Sequence, residues 1–246
     1  MVYYKCARPN GWDFYTGKTI NYRENIGKTV TVPTYNPENK IYDVCSPLVL
    51  HASQKPLDAL GYAKLPCSVY LVEGKAVVKN NDKCGFTHLT VLEEIPQQKL
   101  DELFGFKFLE ACNPIHPLQV QTGKVGEAEI LLLKQWDSLW DSVRDSVRAS
   151  VWASVWASVW ASVRDSVGES VWTSIWDSVG AYIGSLFPKI TNWKYAQKSG
   201  GYPYQSCVDL WKRGFVPSFD GKTWRLHAGE KAEVVYEISA EKLREM

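Results

Sequence analysis

From Trp136 to about residue 184 one four-residue unit is written over and over: WDSL WDSV RDSV RASV WASV WASV WASV RDSV GESV WTSI WDSV GAYI. Serine stands at every fourth position from Ser138 to Ser178, followed by Leu139 once, Ile175 once and otherwise valine. This period limits what the segment can fold into. In a strand, valine would share a face with Asp or Ala and Trp would share one with Ser, so neither face would be cleanly apolar. In an α-helix, four residues turn through about 400°, so each column drifts by about 40° per unit, and Val, Ser and Trp form neighbouring spiral stripes. A helix is therefore expected, spanning about 70 Å if straight. A β-solenoid is the competing structure. Four-residue units leave no room for its corners, and no Gly or Asn recurs at a fixed corner position.

Valine, serine and tryptophan are mediocre helix formers, so such a helix needs a surface to pack on. The small serine column lets a second backbone approach while Val and Trp close over the seam. Self-association is the preferred reading, through Trp136, Trp140, Val147, Val151, Trp152, Ser154, Val155, Trp156, Ser158, Val159, Trp160, Val163, Val171, Trp172 and Trp176. A solvated spacer and an amphipathic helix lying on a membrane surface are the alternatives. Asp141 with Arg144, and Asp145 with Arg148, have the i,i+3 spacing of helical ion pairs. Gly168, Gly180 and Gly184 replace Trp in the pattern and mark kinks or places of close backbone approach.

The repeat divides the chain into an α+β globular domain over residues 1–122, the repeat with its leader over 123–187, and a small α/β hairpin domain over 188–246. In the first, MVYYKCAR, TVTVPTY, SPLVLHAS and THLTVLEEI read as strands. CSVYLVEGKAVVK reads as a hairpin turning at Glu73-Gly74. KPLDALGYAK has helical spacing, and PQQKLDELFGFKFLEAC reads as one helix starting at Pro96. EAEILLLKQW is a helical leader. In the last domain, YPYQSCVDLWKRG is a helix stopped by Gly214. FVPSF and KTWRL flank Asp220-Gly221, a favoured two-residue turn, and AEVVYEIS adds a third strand.

The formal charge of +1 gives no global field for nucleic acid. None of the six Cys lies at zinc-ligand spacing with a histidine, so no metal is expected. With no secretory leader visible, the thiols read as reduced in a cytoplasmic protein. No P-loop, G-x-G-x-x-G, H-E-x-x-H or G-x-S-x-G occurs.

One stretch has a specific pattern: Cys45-Ser46-Pro47-Leu48-Val49-Leu50-His51-Ala52-Ser53, then Pro56-Leu57-Asp58-Ala59-Leu60-Gly61-Tyr62-Ala63, then Ser68-Val69-Tyr70-Leu71-Val72-Glu73-Gly74. With Tyr4-Lys5 and Arg8-Pro9-Asn10-Gly11, it resembles an uncharacterised phage and bacterial domain found beside short peptide repeats, over residues 3–95. The tail GSLFPKI…DLWKRGFVPSFDGKTWRLH is similar to segments that follow Trp/Ser/Val repeats in bacterial, archaeal and viral proteins. His51-Ala52-Ser53, Ala59–Ala63 and Val69–Val72 also resemble, distantly, the motifs of ADP-ribosyltransferases. That resemblance implies a dinucleotide held by Arg8 or His51 and supported by Ser53, with NAD as the cofactor. Such enzymes use a Glu on the ribose, and the nearest acids are Asp82 and Glu93-Glu94.

Each of these residues also has a plain structural reading. His51 at the end of an apolar strand suits a hydrogen-bonded core or edge position, Tyr62 the core, Arg8 a surface or ion-paired position, and Glu93-Glu94 a solvated strand end. Trp193, Trp211 and Trp224 suit an aromatic core. The resulting expectation is a non-enzymatic, self-assembling α+β protein without a cofactor. The alternative is a nucleotide-binding protein of ADP-ribosyltransferase type with candidates Arg8, His51, Ser53, Tyr62 and Glu94.

Overall fold

The computed structural model describes residues 1–39, 41–151, 176–196 and 201–246. The chain forms two compact units, Met1–Phe104 and Gly105–Met246. Both are mixed α and β, in keeping with the α+β expectation.

The first unit contains β1 (Val2–Ala7), β2 (Thr29–Thr31), β3 (Leu50–Ala52), α1 (Pro56–Leu60), β4 (Ser68–Glu73), β5 (Val78–Lys79), β6 (Cys84–Phe86), β7 (His88–Glu94) and α2 (Gln97–Phe104). Two antiparallel sheets form, in the orders β1-β4-β7-β2 and β3-β6-β5. Tyr3, Tyr70, Val72, Phe86, Leu89 and Val91 from these strands, with Tyr22 from the connection after β1, are part of the core. Tyr4 exchanges both backbone hydrogen bonds with Ser53, at 2.8 and 2.9 Å, which ties β1 to the end of β3.

Two expectations need correcting. β4 and β5 belong to different sheets, so CSVYLVEGKAVVK is not a hairpin. Gly74 is there for closeness instead: a Cβ would lie 2.9 Å from the His88 carbonyl oxygen. The single helix expected from Pro96 to Cys112 is two, because Gly105 adopts φ +76°, which ends α2.

The second unit contains α3 (Phe108–Cys112), α4 (Glu127–Asp137), α5 (Trp140–Ser150), α6 (Trp176–Ser185), α7 (Gln205–Lys212), β8 (Val216–Phe219), β9 (Thr223–Ala228), β10 (Glu233–Ser239) and α8 (Ala240–Glu245). The strands form one antiparallel sheet in the order β10-β9-β8. The hairpin between β8 and β9 is not the expected two-residue Asp220-Gly221 turn: Phe219 pairs with Trp224, Asp220 donates its N–H to the Thr223 carbonyl, and of the two turn residues Gly221 alone has positive φ (+95°). Gly214 follows α7 with φ +84°.

The ends of the repeat are built into this unit. The leader helix is interrupted at Leu139 (φ −134°, ψ −15°), and α5 stops where Val151 turns extended (φ −103°, ψ 136°). The described residues therefore do not form the continuous helix expected, and α5 packs beside α6. The reason is burial. Val143, Val147 and Val179 are fully covered by their own chain, as is Trp136, which meets the Tyr204 ring. Trp140 sets its edge against Phe219 and Trp224. Serines do mark close approach: Ser146 donates to the Lys194 carbonyl, Ser178 to that of Pro217, and Ser142 shares a hydrogen bond with the Tyr204 hydroxyl. Trp193, Trp211 and Trp224 are core as expected, with Trp211 stacked on Tyr182. Asp137 accepts from Trp224 Nε1 at 2.8 Å and from the Arg244 guanidinium at 2.7 and 2.9 Å, which pins α8.

The six cysteines are thiols, four of them buried. Among the described residues no helix is long and apolar enough to cross a membrane. The remaining self-association candidates, Trp152, Ser154, Val155, Trp156, Ser158, Val159, Trp160, Val163, Val171 and Trp172, lie outside the described residues, as does Gly168.

Candidate functional site in the first unit

A cavity of about 530 Å³ opens in the first unit, within the range typical of small-molecule sites. Its walls come from β1, β3, the loop after β1 and the residues around α1. Lys5, Ile20, Tyr22 and Leu50 form the inner part, while exposed Tyr15, Cys45 and Tyr62 stand at the mouth. The rings of Tyr4, Phe14, Tyr15, Tyr22 and Tyr62 give it an aromatic character that suits a flat ligand.

The loop over the cavity is held by Asp13. Its carboxylate accepts from the backbone N–H groups of Thr16 (2.7 Å), Thr19 (3.0 Å) and Ile20 (3.4 Å) and from the Thr16 hydroxyl. Burial opposes the charge, but these donors outweigh it and hold the Asp13 pKa below the ordinary value. Arg8 bonds the Phe14 carbonyl at 3.0 Å, and its guanidinium fills the space a side chain at Gly17 (φ +70°) would need. Arg8 thus shapes this loop and is not among the residues that line the cavity. No ion pair engages the half-buried Arg8 among the described residues, so the ion-paired alternative is not the one seen.

His51 and Ser53 do reach the cavity. His51 Nε2 donates to the Val44 carbonyl, which leaves Nδ1 as the bare acceptor of a neutral ring. Desolvation, with help from the Lys5 and Lys83 charges, pushes the His51 pKa down to about 4 despite that hydrogen bond. Tyr62 lines the mouth as well, but α1 ends at Leu60 and Tyr62 is 50% exposed, not core. Its hydroxyl donates to Asp82 Oδ2 at 2.5 Å, and this bond heads the causes that raise its pKa to about 12.

Glu94 lies elsewhere. It forms an ion pair with Arg23 at 2.8 Å and accepts from the Tyr70 hydroxyl at 3.2 Å. The Arg23 hydrogen bond is the main cause of its lowered pKa. It is therefore not a solvated strand end, and it is not part of the cavity lining.

Two cations absent from the expected set complete the site. Lys83 Nζ lies 4.5 Å above the Tyr62 ring and 3.6 Å from Cys45 Sγ. Lys5 is half-buried, with its Nζ 5.3 Å from the Tyr22 ring centroid and no carboxylate within 4.0 Å among the described residues. Burial lowers the Lys5 pKa to about 8, against the raising influence of Cys6 and Asp13 and with that of Lys83. The available signal was a lysine inside the otherwise apolar strand VYYKCA. No group of His, Cys, Asp and Glu able to hold a metal occurs among the described residues. Comparison with family models, curated proteins and solved structures finds no match to this chain.

Proposed function

We propose that the first unit is a binding module for a small anionic ligand with a flat ring, of mononucleotide size, and that it does not turn that ligand over. The supporting observation is the convergence of Lys5, Lys83 and neutral His51 on one aromatic cavity. Asp13 is the single carboxylate in its lining, and that carboxylate is occupied by the loop it folds. A glycosyl transfer that needs a free acid on the ribose has no such residue there, since Glu94 is engaged by Arg23. The ligand-binding half of the ADP-ribosyltransferase resemblance is kept and the catalytic half is dropped.

Thermal shift and calorimetry with AMP, ADP and NAD test this reading. Binding of at least one is expected, weakened tenfold or more in Lys83→Met, with no nicotinamide released from NAD. Absence of binding by all three, or transfer of ADP-ribose, would overturn it.

A second reading concerns the repeat. In the described residues the Ser and Val columns carry close contacts within the unit, including those of Ser146 and Val147. The same pattern continues through residues 152–175, where we propose that it meets a second copy of the chain in preference to a membrane surface. Light scattering of the chain and of a Trp156→Ala, Trp160→Ala variant separates the outcomes: a monomer in both refutes association.

A further inference from the structure

Lys5 differs from an ordinary strand lysine in three ways. It shares its face of β1 with the buried Tyr3 and Ala7, and it lines the cavity. No carboxylate comes within ion-pair distance among the described residues, and Asp13, which acts on it through space, is consumed by the backbone of its own loop. A second cation, Lys83, shares the cavity. An aromatic wall, a like charge and no counter-ion are the conditions that favour a neutral, nucleophilic amine.

From this placement we infer that Lys5 captures a carbonyl compound as an imine, the ligand being an aryl aldehyde or related carbonyl that also carries the anion met by Lys83. The inference rests on the cavity being a ligand site, as proposed above. In the step, the Nζ lone pair forms a C–N bond to the carbonyl carbon while the C=O π electrons move to oxygen, and one amine proton passes from nitrogen to that oxygen to give the carbinolamine. The nitrogen lone pair then forms the C=N bond as the C–O bond breaks, and the hydroxyl leaves as water with the second amine proton, so the net change is amine plus carbonyl giving imine plus water. The lowered pKa of Lys5 supports the assignment, since part of the amine is unprotonated near neutral pH. Lys83 is the weaker nucleophile candidate, because its Nζ lies closer to a ring, 4.5 Å from Tyr62 against 5.3 Å from Tyr22 for Lys5, and also donates to Cys45 Sγ at 3.6 Å.

The probe is pyridoxal 5′-phosphate, a flat aldehyde with an anion, added at one equivalent and reduced with borohydride before peptide mapping by mass spectrometry. Pyridoxine 5′-phosphate, the alcohol that cannot form an imine, is titrated separately as a binding control. Labelling of Lys5 at least tenfold above any other lysine is expected, with loss of that label in Lys5→Arg, while pyridoxine 5′-phosphate binds the unaltered protein without labelling it. Label spread over exposed lysines without enrichment at Lys5, while the alcohol still binds, overturns the imine and leaves the binding module standing. If neither compound binds nor labels the cavity, the imine fails for this ligand class, and the nucleotide titrations decide the module separately. Mapping of the unaltered protein decides the question even if the variant does not fold.

Discussion

Gly184 is where the packing of the repeat can be tested by the sign of an effect. A methyl group there would lie 2.2 Å from Tyr202 Oη and 3.1 Å from Val147 Cγ2. Tyr202 has little freedom to retreat, since its hydroxyl donates to the Ala181 carbonyl at 2.5 Å. Gly184 lies within α6, where an unobstructed Gly→Ala change would stabilise by about 1 kcal/mol through helix propensity. Overpacking costs about 1–3 kcal/mol, and losing the Tyr202 hydrogen bond costs about 1 kcal/mol. The net expectation for Gly184→Ala is destabilisation by about 1–3 kcal/mol. Tyr202→Phe removes the oxygen but leaves Cζ about 3.0 Å from the new methyl, so it rescues Gly184→Ala in part. A double-mutant cycle should give a coupling above about 0.5 kcal/mol. Urea unfolding followed by Trp fluorescence suits the assay, because ten of the eleven Trp lie in Gly105–Met246. A Gly184→Ala variant as stable as the parent, or more stable, would refute the close approach and the in-chain burial of the repeat.

Further outcomes are expected at Asp137, Glu94 and Lys5. Asp137→Asn keeps the shape but removes the charge that Arg244 and Trp224 engage, and should cost about 1–3 kcal/mol of unfolding free energy by the same fluorescence assay. Burial alone would raise the Asp137 pKa, but its donors hold it lower, so its contribution should be complete above the ordinary carboxylate range and vanish as pH falls through the depressed value. Glu94→Gln should lower the melting temperature of the first unit slightly, as a half-exposed ion pair is worth about 1 kcal/mol or less, while leaving nucleotide affinity within twofold; a tenfold loss of affinity would return Glu94 to the site. Affinity for AMP, measured by calorimetry, should be highest below pH 8 and decline as Lys5 loses its proton near about 8, and Lys5→Met should flatten that decline. In the empty protein the sign is opposite: the unfolded chain holds the Lys5 proton up to its ordinary pKa of 10.5, so stability should rise with pH between about 8 and 10.5.

Much of the fold was legible wherever a local rule decided it. The stop at Gly214, the positive φ of Gly221 in the β8–β9 connection and the alternation in THLTVLEEI each follow from one residue's backbone preference or from strand periodicity, although the turn tip lies one residue beyond Asp220-Gly221. Errors arose where a long-range choice overrode a local one. Glu73-Gly74 has turn character, but β4 and β5 are recruited by different sheets, and nothing local encodes that. The helix over Pro96–Cys112 had the right periodicity, and a single glycine at positive φ divided it. In the cavity, His51 and Ser53 were found through a motif, whereas Lys5 and Lys83 belong to no motif. They matter because β1 and the turn before β6 meet in space, and only Lys5 left a trace, as a charge inside an apolar strand.

The period of four made a sound statement about contact and an incomplete one about partner. A small side chain every fourth residue provides close approach, and Ser142, Ser146 and Ser178 each bond to another segment of their own unit. A repetitive column cannot specify which surface it meets, because every unit offers the same groups. The specificity comes from the departures at its ends. Asp137 replaces Ala with a carboxylate that engages Trp224 and Arg244, and Gly180 and Gly184 replace Trp within a helix whose neighbours Val179, Tyr182 and Ile183 are fully buried. Among the described residues, the repeats that depart from W-A-S-V fold onto their own unit. The most regular units, from Trp152 through Val163, lack such departures, so any meeting of like with like between copies would be carried there.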